Sequence, residues 1–183
     1  MTFSSVIYRC ISRDTKGIFR QIPLRTRGKL FVSPMPFGAY DTGNRVLGLY
    51  RQNRVGHVFI LATDDEITRK ARRDLRREYE KIGAGSTQFP IVDMTAPDLT
   101  TLRNVVADAV RKLSSINVAV HCHAGVGRTS IFVCCVAQAV EKLSAENSLA
   151  YVKTCMEVNM TTEQKNMVVK FGSHVEQAGL IET

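Results

Sequence analysis

A cysteine and an arginine, Cys122 and Arg128, stand six positions apart with two glycines, Gly125 and Gly127, between them. Glycines permit a tight bend in which backbone N–H groups point inward, the arrangement that holds a bound phosphate. A planar guanidinium can bind two phosphoryl oxygens at once, and a cysteine thiolate is a strong nucleophile. The spacing therefore predicts a loop in which Cys122 attacks phosphorus while Arg128 holds the phosphoryl group.

Such a reaction has two steps, formation of a phosphocysteine and its hydrolysis by water. The N-terminus of a helix and a nearby arginine both favour the thiolate form of a cysteine, and the hydroxyl of Thr129 could donate a hydrogen bond to the sulfur. The first step needs a general acid for the leaving oxygen, and the second needs a base for water. One carboxylate can serve as both.

Two aspartates, Asp93 and Asp98, are candidates for that carboxylate. Asp98 closes a stretch typical of a helix start, in which Thr95 would be the cap, Pro97 would lie in the first turn and Asp98 would complete a capping-box-like pair. Asp93 follows a predicted strand directly and has no such structural role. We therefore expect Asp93, rather than Asp98, to be the acid and base.

Other interpretations of the loop are a metal site and a purely structural turn. The run His121-Cys122-His123 contains metal-ligand residue types, but adjacent side chains cannot all face one ion, and no second His/Cys cluster supplies further ligands. A lone cysteine is usually a small buried hydrophobe. Of the five cysteines, however, only Cys122 has an arginine six residues on, so we predict catalysis without a metal ion or other cofactor.

The elements that must position this loop alternate between strands and helices. Apolar runs predict strands at 29–33, 55–62, 88–92 and 118–120. Periodic or charged segments predict helices at 41–53, 65–81, 99–115, 130–143, 144–158 and 161–177. The loop thus joins a buried strand to a buried helix. This pattern predicts an α/β fold, a single domain with a mostly parallel central sheet flanked by helices.

The predicted helix 65–81 carries many arginines, which raises the possibility of nucleic-acid binding. Its net charge is only +2, and acids lie three or four residues from bases, as in Asp65–Arg69. A salt-bridged, solvent-facing helix is therefore the better interpretation.

Composition limits the class of protein. The 183 residues are 44% hydrophobic, which suits one domain with a full core. No apolar run approaches the roughly 18 residues of a membrane-spanning helix. The odd number of cysteines, without the spacing of a disulfide framework, indicates reduced thiols and predicts a cytoplasmic location.

Positive charge is concentrated at the N-terminus. The net charge is +8, and residues 1–30 hold seven Lys/Arg against one acid. We therefore predict a basic arm over 1–28 and a catalytic domain over 29–183. The arm is either solvated or meets an anionic partner. Its opening, which has no acid before Asp14, weakly resembles a mitochondrial presequence, the alternative to a cytoplasmic location.

The stretch HCHAGVGRT resembles the HCxxGxxR(S/T) signature of the cysteine-based protein tyrosine and dual-specificity phosphatases. The run from Phe89 to Asp93 is similar to the acid loop of compact members such as cyclin-dependent kinase-associated phosphatase. The resemblance implies a phosphatase-like fold, with Cys122 as nucleophile, Arg128 as phosphate clamp and Asp93 as acid and base. It further implies that His121 tunes the thiolate and Thr129 assists its departure. Residues implied to surround the phosphate are His123, Ala124, Gly125, Val126, Gly127 and Arg128.

Two weaker correspondences follow from the same resemblance. Thr161-Thr162-Glu163-Gln164 is similar to a T-x-x-Q pattern that places a glutamine near the hydrolytic water, although the same pattern is a capping box. Glu66 is similar to an acid that supports the loop arginine, although a glutamate also suits the first turn of a helix. Both alternatives stay open.

Departures from the family pattern bear on the substrate. The chain has no tryptophan, so the W-P-D form of the acid loop is absent, and no counterpart of the phosphotyrosine-recognition loop is evident. Phe37 and Tyr40 could stack on a substrate ring or simply pack in their loop. We expect hydrolysis of phosphotyrosine in proteins, with or without phosphoserine and phosphothreonine. The alternatives are phosphoinositides or RNA 5′ phosphates, suggested by the basic arm, and a phosphate-binding pseudophosphatase.

Overall fold

Five strands form a single sheet in the computed structural model, which describes residues 17–177. They are β1 (Arg20–Ile22), β2 (Leu30–Ser33), β3 (Val55–Ile60), β4 (Gly85–Gln88) and β5 (Asn117–His121). The strand order is β1-β2-β5-β3-β4, with every pair parallel except the antiparallel pair β1–β2. The predicted α/β domain with a mostly parallel sheet is therefore confirmed.

Seven helices accompany the sheet in the described part of the chain. They are α1 (Val46–Gln52), α2 (Asp64–Lys70), α3 (Leu75–Lys81), α4 (Leu99–Leu113), α5 (Arg128–Glu141), α6 (Ala145–Cys155) and α7 (Thr162–Gln177). No helix among residues 17–177 has the length and apolar character needed to cross a membrane.

The central strand β5 is buried on both faces, which explains its continuous apolar run. Val118 and Val120 pack into one cluster of buried side chains, and Ala119 between them packs into another. The first cluster includes buried residues of α4, α5, α6 and α7, and the second includes residues of α1, α2 and α3. Helices therefore cover both faces of the sheet, and the loop after β5 opens at its carboxyl edge.

The predicted helix 65–81 is wrong as one element, since α2 ends at Lys70 and α3 begins at Leu75. Arg72 between them has a left-handed backbone, with φ of 53°. The Asp74 side chain accepts a hydrogen bond from the Arg77 N–H and caps α3. The predicted Asp65–Arg69 ion pair is present.

The predicted strand at 88–92 lies too late in the chain, because β4 ends at Gln88. Residues beyond it still run beside β3, and the N–H groups of Phe89 and Ile91 bond the carbonyls of Ile60 and Leu61 at 2.9 and 3.0 Å. Alternating burial of Phe89 and Ile91 produced the strand-like pattern.

The sheet begins before the predicted domain boundary at residue 29. Arg20–Ile22 pair with Leu30–Val32, and Ile22 is fully buried, so this part of the predicted arm belongs to the domain. The rest of the predicted arm up to residue 16, including the presequence-like opening, lies outside the described residues.

Candidate active site

The segment from Cys122 to Gly127 forms the loop between β5 and α5, as predicted. The Cys122 sulfur is almost fully buried and accepts a hydrogen bond of 3.2 Å from the Gly125 N–H. Gly125 has a φ of 83°, and a Cβ at this position would lie 2.5 Å from the Ser33 carbonyl oxygen. Only glycine fits here, because both the backbone angle and the contact with β2 exclude a side chain.

Arg128 begins α5 and is only 2% exposed. Its Nη1 donates to Glu66 Oε2 at 2.6 Å and to the Ile91 carbonyl at 2.9 Å, and its Nη2 donates to Glu66 Oε1 at 2.8 Å. Burial by itself would lower the pKa of Arg128, but the acidic neighbours, chiefly Glu66, outweigh burial and hold that pKa above its ordinary value. Arg128 is therefore a permanent cation in a fixed orientation.

Glu66 also closes the capping box of α2. It therefore combines the two roles considered from the sequence, support of the loop arginine and a favourable charge in the first turn of a helix. Its Oε2 accepts from the Thr63 N–H at 3.1 Å while its own N–H donates to the Thr63 hydroxyl. Burial would raise the pKa of Glu66, but the hydrogen bonds from Arg128 and Thr63 hold it below the ordinary value. The carboxylate therefore stays ionised beside Arg128.

Asp93 lies in the same cavity as Cys122, at the start of the loop after Val92. Its Oδ1 is 3.0 Å from Nη2 of Arg128, and its side chain is 65% exposed. Asp98, by contrast, caps α4 by accepting from the Thr101 N–H at 2.8 Å and does not line the cavity. The backbone hydrogen bond from Thr101 lowers the pKa of Asp98. The geometry therefore puts Asp93, and not Asp98, beside the loop.

The predicted helix start at Thr95 is wrong in one detail. Asp98 itself is the N-cap of α4, whereas the Thr95 hydroxyl donates to the Val92 carbonyl at 2.9 Å. The cap of α4 therefore lies three residues later than predicted, whereas the predicted start of the helix at residue 99 is confirmed.

The loop that carries Asp93 is fastened to the start of α7. Gln164 Nε2 donates to the Thr95 carbonyl at 3.0 Å, and the Thr161 hydroxyl donates to the Met94 carbonyl at 3.3 Å. Glu163 Oε1 accepts from the Ala96 N–H at 3.3 Å. Gln164 also closes the capping box with Thr161, so its amide oxygen is occupied. The T-x-x-Q stretch thus positions the Asp93 loop, a contact that the sequence did not indicate.

His121 is fully buried next to Cys122. Its Nδ1 lies 2.9 Å from the Cys122 carbonyl oxygen, so Nδ1 carries the proton, and its Nε2 accepts from the hydroxyl of Tyr79 at 2.7 Å. Burial lowers the pKa of His121 to about 4. This neutral histidine fixes the backbone at Cys122. The sequence did not reveal Tyr79, which lies in a helix dominated by charged residues.

Three buried polar atoms near the loop have no hydrogen-bond partner within residues 17–177. They are Nε of Arg128, Oγ1 of Thr129 and Nδ1 of His123. Buried polar groups are nearly always paired, so unpaired ones beside Cys122 indicate a place for a ligand. An anion with several oxygens would suit Nε of Arg128, and a thiolate or an oxygen would suit the hydroxyl of Thr129.

The cavity over the loop has a volume of about 410 Å³. Its walls are formed by every residue from Cys122 to Arg128 except Gly125, by Asp93 and Met94 of the acid loop, and by Tyr40, Glu157 and Asn159 at the rim. The Tyr40 ring meets the His123 ring edge-on at 5.1 Å, and Tyr40 is 53% exposed. Phe37, the other aromatic candidate, stacks under the guanidinium of Arg73 instead.

Two further cysteines, Cys134 and Cys135, lie on α5 behind the loop. Burial raises the pKa of Cys134 to about 12 and raises that of Cys135 well above its ordinary value. Both thiols are therefore protonated and unreactive at neutral pH. Within residues 17–177, no group of three or more His, Cys, Asp or Glu side chains could hold a metal ion.

Comparison with solved structures shows the same fold in known phosphatases. Kinase-associated phosphatase, with its catalytic cysteine replaced by serine, superposes with a TM-score of 0.76 at 15% identity over 86% of this chain and 95% of that chain. PTPMT1 in complex with PI(5)P gives 0.72 at 19% identity over 89% and 99%. The active form of Tk-PTP gives 0.69 at 23% identity over 84% and 97%.

Sequence comparison identifies the family. No curated protein matches the chain significantly. The model of a family described as "Polymorphic toxin system, DSP-PTPase phosphatase" matches residues 42–142, more than half of the chain. That span includes Asp93, Cys122 and Arg128, which line one cavity, and Glu66, which pairs with Arg128. The chain therefore belongs to the DSP-PTPase phosphatases of polymorphic toxin systems, a family of tyrosine and dual-specificity phosphatases.

Proposed function

We propose that the chain hydrolyses phosphotyrosine in proteins, with or without phosphoserine and phosphothreonine, through a phosphocysteine and without a metal ion. One observation carries the proposal. The Cys122 sulfur accepts a hydrogen bond from the Gly125 N–H and lies in one cavity with Asp93 and with Arg128, whose buried Nε–H has no partner among the described residues.

In the first step the Cys122 thiolate attacks phosphorus, so an S–P bond forms and the bond from phosphorus to the leaving oxygen breaks. The side of the Arg128 guanidinium formed by Nε and Nη2 would hold two phosphoryl oxygens, because its other side is occupied by Glu66. Asp93 now contacts Nη2. A phosphoryl group would replace that contact, which frees Asp93 to protonate the leaving oxygen.

In the second step water attacks the phosphocysteine, Asp93 accepts a proton from that water, and the S–P bond breaks. The Thr129 hydroxyl, which has no partner now, would donate to the departing thiolate. Gln164 would act by holding the Asp93 loop, since its amide already bonds Thr95 and Thr161. His121 would hold the Cys122 backbone through the carbonyl contact.

The rim of the cavity supports an aromatic phosphate ester as substrate. Tyr40 and Met94 are more than half exposed, and both line the cavity that contains Cys122. A phenyl ring could pack against these two apolar surfaces with its phosphate on the loop. Inside the loop, Ala124 and Val126 offer no cation to a multiply phosphorylated head group.

A phosphoinositide is the second candidate substrate, because PTPMT1, a structural neighbour, was solved in complex with PI(5)P. RNA 5′ phosphates are a third. A panel of phosphopeptides, phosphoinositides and triphosphorylated RNA separates these classes. We expect the highest kcat/KM on phosphotyrosine peptides, and a higher value on either of the other classes would contradict the proposed substrate.

The mechanism is tested with an aryl phosphate in the presence of a chelator. We expect turnover to resist the chelator and to vanish in Cys122→Ser, with Cys134→Ser as the matched buried-cysteine control. Activity that persists in Cys122→Ser would refute Cys122 as nucleophile. A folded wild-type chain that binds phosphate without turnover would instead be a pseudophosphatase.

The matched family is described as part of polymorphic toxin systems, and we propose that the phosphatase activity is itself toxic to a recipient cell. Induced expression in bacteria should slow growth for the wild-type chain and not for Cys122→Ser. Equal growth at equal protein levels would contradict this role.

A further inference from the structure

We propose that Arg20 forms a second anion subsite beside the reaction cavity, where it binds one carboxylate or phosphate carried by a protein substrate next to its phosphotyrosine. This inference rests on the protein-phosphatase function proposed above. It also gives part of the predicted basic arm a specific role, since Arg20 is one of the arginines of that segment.

The subsite is a smaller cavity of about 240 Å³ at the end of β2. It shares Tyr40, Ala124, Val126 and Glu157 with the cavity that contains Cys122. The two cavities therefore adjoin across the phosphate-binding loop. A substrate held at Cys122 could extend a neighbouring side chain into the smaller cavity.

The Arg20 side chain lines this cavity and carries an unused donor. Its Nε is buried without a hydrogen-bond partner, and Arg20 forms no ion pair with any residue in the described part of the chain. By contrast, Arg25 of the same segment is paired with Glu141. A buried guanidinium N–H without a partner is costly, and an anion would satisfy it with a charge-assisted hydrogen bond.

The cavity suits one anionic group rather than several. Arg20 is the only cation among the described residues that line it, and the remaining walls include Ile18, Val32 and Pro34. The exposed carboxylate of Glu157 lies on the shared rim. A phosphoinositide or an RNA end would bring further charges near Glu157. A phosphopeptide with a single acidic neighbour would bring only one.

The test uses phosphotyrosine peptides that differ only in a Glu or Gln at the position before or after the phosphotyrosine. The readout is the ratio of kcat/KM for the Glu peptide over the Gln peptide, with Kd measured in a Cys122→Ser background. In the wild type we expect a ratio of about ten at whichever of the two positions brings the Glu side chain to Arg20. In Arg20→Gln the ratio should be close to one.

Arg27→Gln is the matched control, because it removes the same charge from the same segment at an exposed position outside both cavities. It should keep the wild-type ratio, and Glu157→Gln should raise it. A ratio that survives Arg20→Gln, or that falls equally in Arg27→Gln, would overturn the subsite.

Two other outcomes separate the subsite from the proposed function. Failure of the wild type to hydrolyse any of these peptides would refute the protein-phosphatase function and the subsite with it. Hydrolysis of all peptides with a ratio independent of Arg20 would refute only the subsite. If Arg20→Gln impaired turnover of a soluble inositol bisphosphate but left the peptide ratio unchanged, the peptide assignment would be wrong.

Discussion

Glu66 holds Arg128 by both terminal nitrogens, with N–O distances of 2.6 and 2.8 Å. This pair joins the start of α2 to the phosphate-binding loop, although the residues are 62 positions apart in the chain. The orientation of the proposed phosphate clamp therefore depends on α2, a helix that contributes no residue to the lining of the cavity.

Replacement of Glu66 by Gln should lower kcat/KM for an aryl phosphate on the order of 10-fold or more, because a neutral amide supports only part of the charged pair. Asp65→Asn is the matched control, since Asp65 lies on the same helix and pairs with the exposed Arg69 instead of Arg128. It should leave kcat/KM within about twofold of wild type. An equal loss in both variants would show that α2, and not the Glu66–Arg128 contact, is responsible.

Asp93→Asn should reduce turnover on the order of 10²-fold or more through loss of the general acid. The same variant should bind inorganic phosphate more tightly than the wild type, because the carboxylate that now contacts Arg128 would no longer compete with the anion. Asp98→Ala should keep turnover and lower the melting temperature, because the Asp98 side chain caps α4 and alanine cannot replace it. Kinetics, phosphate titration and thermal melts distinguish the two aspartates. The reverse pattern would reassign the acid.

Removal of the Tyr79 hydroxyl tests the support behind the nucleophile. In Tyr79→Phe, the buried Nε2 of His121 loses its partner, so the free energy of unfolding should fall by about 1–3 kcal/mol. We also expect the pH profile of kcat/KM to shift, because His121 contacts the Cys122 carbonyl. Tyr50→Phe is the control, since its hydroxyl bonds Ser33 in the same layer but touches no histidine. An identical pH profile in the wild type, Tyr79→Phe and Tyr50→Phe would show that Tyr79 contributes only to packing.

Two buried histidines should make the fold sensitive to mild acid. Burial lowers the pKa values of His57 and His121 to about 4 in the folded chain, from 6.5 for an unperturbed histidine. The unfolded chain therefore takes up protons first as pH falls. The stability that these groups contribute is complete above about pH 6.5 and is lost progressively toward about pH 4.

His57→Gln isolates one of these groups, because His57 bonds Thr87 between β3 and β4 and does not line the cavity. Melting temperatures measured across this pH range should fall less steeply in His57→Gln than in wild type, with unchanged turnover at neutral pH. Parallel curves for the two proteins would contradict the assignment.

The phosphate loop could be predicted from sequence because its parts are contiguous. Cys122, the glycines and Arg128 fall within seven residues, and their type and spacing determine the bend. Asp93 was predictable for a related reason, since it follows directly on a segment that runs beside β3. The fold class followed from the alternation of apolar runs with amphipathic segments.

Contacts between segments that are distant in the chain were harder to predict from the sequence. Tyr79 and His121 are 42 residues apart, and nothing in the charged sequence around Tyr79 indicates that its ring is buried. The break between α2 and α3 was missed because charged residues continue through it. The strand β1 was missed because three residues beside Pro23 carry too short a pattern to stand out from a basic segment.

The strand order also determines when the site can exist. β5 occupies the middle of the sheet, between β2 and β3, yet it is the last strand within residues 17–177. β2 and β3 each pair with β5 and not with each other, so the sheet is incomplete until β5 inserts between them. The loop after β5 is therefore surrounded by its neighbouring residues only once the sheet is complete. Such non-local pairing slows folding compared with a helical bundle of similar size. During refolding, catalytic activity should therefore recover later than helical circular dichroism.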